Sequence, residues 1–128
     1  MLDGLDTISW DDLPQPKWNG PGEVPKALLA LAAIANQRDA DAAYNRFLCA
    51  LGNNHAGTYY PVALWAIPFL GPLLATGTSI VRETVLDILI DLTGSFAAES
   101  GFECVRGPSG SEIILKVGVR QVVASLRS

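Results

Sequence analysis

Charge is missing where a water-soluble chain would ordinarily carry it: between Arg46 and Arg82 there is no Asp, Glu, Lys or Arg. So long an uncharged run invites a membrane reading, and further shortages speak against it. The apolar heart of the run, residues 61–75, falls short of the ~20 residues that a spanning helix needs. Pro61, Pro68 and Pro72 interrupt it, and no basic cluster flanks it to set a topology. No membrane partner is expected, and the run must be covered by protein.

Chemistry-bearing side chains are equally scarce. The chain has one histidine and two cysteines, with no Cys-x-x-Cys, no His-Glu-x-x-His, no Gly-x-Ser-x-Gly and no phosphate-binding glycine loop. A nucleophile and base could be assembled only around His55, with Cys49 or Thr58 nearby in sequence. A structural role for His55, capping a helix or satisfying backbone groups in a turn, is the simpler reading, with partner contact next. One histidine and two separated cysteines make no ligand set. The expectation is therefore no enzyme, no metal and no cofactor. Cys49 falls inside a predicted helix, where a buried or half-buried reduced thiol fits a cytoplasmic protein. The opening M-L-D-G-L-D is acidic and lacks an apolar run, so no secretory leader is expected there. Nine basic against thirteen acidic residues leave a net charge of −4. Direct nucleic-acid binding is disfavoured by that balance, and a basic protein is the fitting partner.

What the chain does have is 49% hydrophobic residues in helical spacing. A single domain of 128 residues is large enough for one core. Asp6 or Thr7 can cap a short helix over I-S-W-D-D-L, with Trp10 and Leu13 free to cover the end of a first hairpin. Pro14 to Gly22 is a connector that Trp18 argues is ordered. Residues 23–35 form a helix with Pro25 in its first turn. A second helix, capped by Asp39, stops at Gly52. Thr58 can cap a third, bent at Pro68 and again at Pro72, followed by a straight helix over 79–92. Val24-Pro25 and Ile67-Pro68 stand 43 positions apart. A shift of 42 carries Val85, Leu86, Leu89, Ile90 and Leu92 onto Ala43, Tyr44, Phe47, Leu48 and Ala50. Both shifts lie in the range of about 40–47 residues found in HEAT and armadillo repeats.

The expected fold is therefore all-α: a short right-handed α-solenoid of about two and a half HEAT-like helical hairpins with an N-terminal cap helix. Its single domain, 1–128, divides into cap and connector (1–22), repeat one (23–52), repeat two (58–93) and a closing helix (110–127). Residues 93–100 read as a frayed helical extension and 101–109 as loop. Ser109 and Glu112 have capping-box spacing before the last helix, although the β-branched residues of 112–119 also permit a strand. Leu86, Leu89 and Ile90 are expected in the core.

Polar residues on the apolar helix over 79–92 recur every four positions: Glu83, Asp87 and Asp91. At about 100° per residue they make one narrow acidic strip. A shift of 42 places Asp41, Asn45 and Cys49 beside it on the preceding repeat. In a solenoid the second helices line the concave face, which gives a two-lane polar strip there. A solvated helix face is the plain alternative, with Arg82 or Arg46 neutralising part of the charge. The turn residues Asn53, Asn54, His55 and Tyr59 form a second candidate surface.

H-A-G-T-Y-Y-P (from His55), A-I-P-F-L (to Leu70) and R-E-T-V-L-D-I-L-I-D-L (from Arg82), with W-x-x-L at Trp10 and Leu13, resemble a bacterial HEAT-repeat family. That family's motif runs His-Gln-Gly-Thr-x-Tyr, then Val-Pro-Phe-Leu; Ala56 stands here in place of Gln. The resemblance implies a protein-interaction module, and some members resemble immunity proteins of interbacterial toxin systems. On this footing the chain is expected to bind and neutralise a basic toxin or effector domain. A general HEAT-repeat scaffold or regulatory subunit is the alternative, and a lyase-like enzyme a distant third.

Overall fold

The computed structural model describes residues 2–126; position 127, the last of the expected closing helix, lies outside them. The fold is mostly helical with two small two-stranded sheets. Trp10 is buried in a short 3-10 turn (Trp10–Asp12) and donates its indole N–H to the Leu5 carbonyl at 2.8 Å. Its ring packs against Phe69, with centroids 5.8 Å apart. Trp10 thus packs on the uncharged stretch at Phe69. The connector is ordered because it terminates a helix: the Trp18 indole donates to the carbonyl of Cys49 and the Asn19 amide to that of Ala50, both at 2.8 Å. Those carbonyls lie in a last helical turn, where no intrahelical donor reaches them.

Helix α1 (Glu23–Ala32) buries Val24, Ala27, Leu28 and Leu31, one face at helical spacing. Helix α2 (Gln37–Leu51) is capped by Asn36 and not by Asp39. The Asn36 side chain accepts from the Asp39 amide at 2.9 Å, and the Asp39 carboxylate reaches back to the Ala35 amide at 3.2 Å. Two otherwise orphaned donors are satisfied together. The uncharged stretch that follows is not one bent helix. Thr58 sits in strand β1 (Thr58–Tyr59), and helices α3 (Ala63–Ala66) and α4 (Leu70–Thr76) are joined by a 3-10 turn at Ile67–Phe69. Pro68, lacking an amide proton, breaks the helical ladder there, whereas Pro72 is tolerated in the first turn of α4. Helix α5 (Ser79–Thr93) starts from Thr78, whose hydroxyl accepts from the Val81 amide.

Past α5 the chain does not fray. It turns at Gly94, and strand β2 (Ala97–Ala98) pairs in parallel with β1. Thr58 donates its hydroxyl to Glu99 at 2.6 Å across the same junction. The last segment contains both of the structures its composition permits: β3 (Cys104–Arg106) and β4 (Glu112–Ile114) form an antiparallel hairpin, and α6 (Leu115–Ser125) follows at once. Ser109 and Glu112 lie in that hairpin, and α6 has no side-chain cap.

Helix α5 packs against α1, α2, α4 and α6 and occupies the middle of the core. It buries Val81, Thr84, Val85, Ile88, Leu89 and Leu92. Leu89 is in the core as expected, but Leu86 and Ile90 are not: they are 49% and 65% exposed. They lie toward the outward side of α5, Ile90 at the edge of the space between α5 and α2, because the helix has more apolar positions than its neighbours can cover.

Candidate functional site

Helices α2 and α5 lie side by side, and between them runs an open groove of about 300 Å³. Gln37, Ala40, Asp41 and Tyr44 line it from α2, and Thr84, Asp87, Ile90 and Asp91 from α5. Three residues of the sequence-derived strip, Asp41, Asp87 and Asp91, are thereby brought together. Glu83 stands one turn earlier on α5 and is exposed outside the groove. Asn45 belongs to a different depression: its side-chain oxygen accepts from the Asn54 amide at 3.3 Å. Cys49 is exposed and not half-buried, as is Cys104, and both are free thiols.

The charge in the groove is not cancelled. Arg46, one of the two candidate counter-ions, is committed to α1, where its guanidinium forks onto the Glu23 carboxylate at 2.8 and 3.1 Å. That hydrogen bond, with the guanidinium charge, holds the Glu23 carboxyl below the usual range despite some desolvation. Arg82 forms no ion pair among the described residues, and neither Glu83 nor Asp87 has an ion-pair or side-chain hydrogen-bond partner there. Asp91 accepts the hydroxyl proton of Tyr44, which ties α2 to α5 across the groove floor.

Tyr44 is the groove residue that sequence reasoning passed over, since the repeat shift counted it only as a core aromatic. Burial, the hydrogen bond to Asp91 and the charges of Asp91 and Asp87 push its pKa up to about 12. The unfolded phenol ionises near pH 10. The stability linked to this raised pKa is present in full below about pH 10 and is lost as pH rises toward about 12. Wild-type stability is therefore expected to fall more steeply than that of Tyr44→Phe over this window, as read by urea unfolding at a series of pH values. Equal slopes would show that the phenol is not held by its neighbours.

The turn surface is a wider depression of about 630 Å³, lined by Trp18, Asn45, Cys49, Gly52, Asn53, Asn54 and His55. Asn53 braces the turn by accepting from the Ala56 amide at 3.1 Å. His55 is exposed and makes no hydrogen bond among the described residues, so it neither caps a helix nor satisfies the turn. Tyr59 is corrected from surface to core: its side chain is 0% exposed. Its neighbour Tyr60 takes the outer position and packs on Phe102, with ring centroids 5.1 Å apart. The Tyr59 hydroxyl has no partner among the described residues, and burial pushes its pKa up against an opposing influence from Arg120. Among the described residues no three His, Cys, Asp or Glu side chains gather to hold a metal ion, and no helix is long and apolar enough to cross a membrane. No family model matches the chain, and neither a curated protein nor a solved structure does.

Proposed function

We propose that this chain is a protein-binding module that acts as an immunity protein, neutralising a basic toxin or effector domain. In this reading the two hairpins and α6 form a short right-handed HEAT-like α-solenoid, and α2 and α5 supply its inner face. The role is non-catalytic and cytoplasmic, and neither nucleic acid nor a membrane is the partner. The observation that carries it is the acidic groove: Asp41 and Asp87, with Glu83 beside them, face solvent, Asp91 lies half-buried at the groove floor, and among the described residues Arg46 pairs with Glu23 and not with them. Carboxylates kept without counter-ions fit a basic protein surface, which they steer into contact and orient.

The test begins with the neighbouring gene. Its product, where it carries a variable C-terminal domain, is expected to stop growth alone, and to permit growth and co-purify when this chain is co-expressed. Failure of both would sink the immunity role; co-purification without growth arrest would favour the scaffold. With that partner in hand, the Glu83→Lys/Asp87→Lys double variant is expected to slow association about ten-fold or more without loss of helix, because exposed carboxylates contribute little to folding. Raising salt should imitate part of the loss, since the Debye length falls from about 10 Å at 0.1 M to about 3 Å at 1 M. Asp6→Lys/Asp12→Lys changes net charge equally at the N-terminus. Equal weakening by both doubles would mean that overall charge, and not this face, attracts the partner.

A further inference from the structure

The outward side of α5 carries two lanes. Glu83, Asp87 and Asp91 form one; Leu86 and Ile90, 49% and 65% exposed, form the other. At about 100° per residue the lanes are neighbours, with Ile90 adjoining Glu83 and Asp87 around the helix. Ile90 also lines the groove toward α2, so the apolar lane opens directly into the acidic one. We propose that this face docks a basic amphipathic helix, its apolar side covering Leu86 and Ile90 and its lysines or arginines lying along the carboxylates. The inference rests on the protein-binding reading above and names the chemistry of the partner's docking segment.

Shape and charge select that occupant together. Leu86 and Ile90 are one turn apart, about 6 Å along the axis, and this matches anchors at i and i+4 on a helix laid beside α5. The open groove between α2 and α5 gives such a helix a seat. Glu83 and Asp87 have no partner among the described residues and are free to pair with incoming cations. A second copy of the chain fits poorly, since an isologous contact would set the same carboxylate lanes against each other. An anionic membrane surface or a nucleic acid would meet the same repulsion.

The test uses labelled peptides of about 18 residues, long enough for a bound helix, and reads fluorescence anisotropy. One is an amphipathic helix of leucine and lysine, the second replaces leucine with serine at equal charge, and the third replaces lysine with glutamate. The leucine–lysine peptide is expected to bind at least about ten-fold tighter than the serine–lysine peptide, and the leucine–glutamate peptide not measurably. Leu86→Ser/Ile90→Ser should remove that ten-fold advantage while leaving serine–lysine binding unchanged. All the altered side chains are exposed, so circular dichroism should be the same throughout. Unchanged leucine–lysine binding to Leu86→Ser/Ile90→Ser would overturn the proposal. If Glu83→Lys/Asp87→Lys still weakened the peptide in that case, docking would be by charge alone and the protein-binding reading would stand. If it did not, α5 would be the wrong surface and both readings would fail. A wild-type dimer in sedimentation that Leu86→Ser/Ile90→Ser converts to monomer would also overturn the proposal, because a second copy would then cover the lane.

Discussion

Truncating Phe47 to alanine is expected to cost about 3–5 kcal/mol of unfolding free energy, the largest loss of any single side chain discussed for this fold. Phe47 is 0% exposed on the buried face of α2. It shares one continuous core with Leu28 and Leu31 of α1 and Ile88 of α5. The ring leaves a void that well-packed neighbours fill only in part, so a cavity cost adds to the lost transfer energy. Urea unfolding gives the number directly. Leu86→Ala is the companion measurement: its side chain is half in water, and its loss should stay near 0.5 kcal/mol or below. Similar losses for the two variants would mean that the core is not centred between α2 and α5.

Gly52→Ala is expected to be the most damaging change of a single small group. Gly52 is extended, with φ at −179°, so its conformation is open to any residue. Space is the constraint. A Cβ there would stand 2.0 Å from the Thr58 carbonyl oxygen and 2.6 Å from the Tyr59 Cα, both backbone atoms. Strand β1 cannot retreat, because it is paired with β2 and the Tyr60 amide is bonded to the Leu51 carbonyl at 2.8 Å. Overpacking of this kind costs about 1–3 kcal/mol and more where backbone must move, so the upper end of that range or beyond is expected. Gly20→Ala, where a Cβ meets nothing within 4 Å, is the control and should be near neutral. If Gly52→Ala unfolds at the same urea concentration as Gly20→Ala, the chain end of α2 is looser than its packing implies.

Gly52 also shows how a correct boundary can have the wrong reason. The sequence places the end of α2 there on the usual helix-stop logic, which calls for a left-handed glycine. The glycine is instead required by a strand passing against it, and that strand comes from a pairing no local pattern encodes. Thr58 and Tyr59 meet Ala97 and Ala98 across a long stretch of chain. A two-residue strand is too short to show alternation, so 93–100 read as helix and 58 as a cap. The same limit hid β3, read as loop, and its pairing with β4, where the β-branched residues had left a strand open. The acidic lane fared better. Four-residue spacing on one helix is enough to align Glu83, Asp87 and Asp91, but the repeat shift set Asp41 beside Glu83, whereas Asp41 lines the groove with Asp87 and Asp91, and Asn45 and Cys49 fall outside it. Tyr59 went astray because the chain alternates there, and whether Tyr59 or Tyr60 turns inward depends on packing against distant chain, where β1 pairs with β2 and Tyr60 meets Phe102.

By itself the sequence determined the helices whose apolar spacing is unbroken and whose ends carry caps or prolines: α1, α2 and α5. It also determined the acidic lane, because helix periodicity is a local property of the chain. Only the tertiary structure decided that Leu86 and Ile90 stay in water, that Arg46 is drawn away to Glu23, and that Tyr59 is buried while His55 is bare. Each of these depends on which neighbour lies against a given face. Helical spacing says which residues share a face, but burial and charge pairing are properties of two surfaces brought together, and the second surface comes from distant chain.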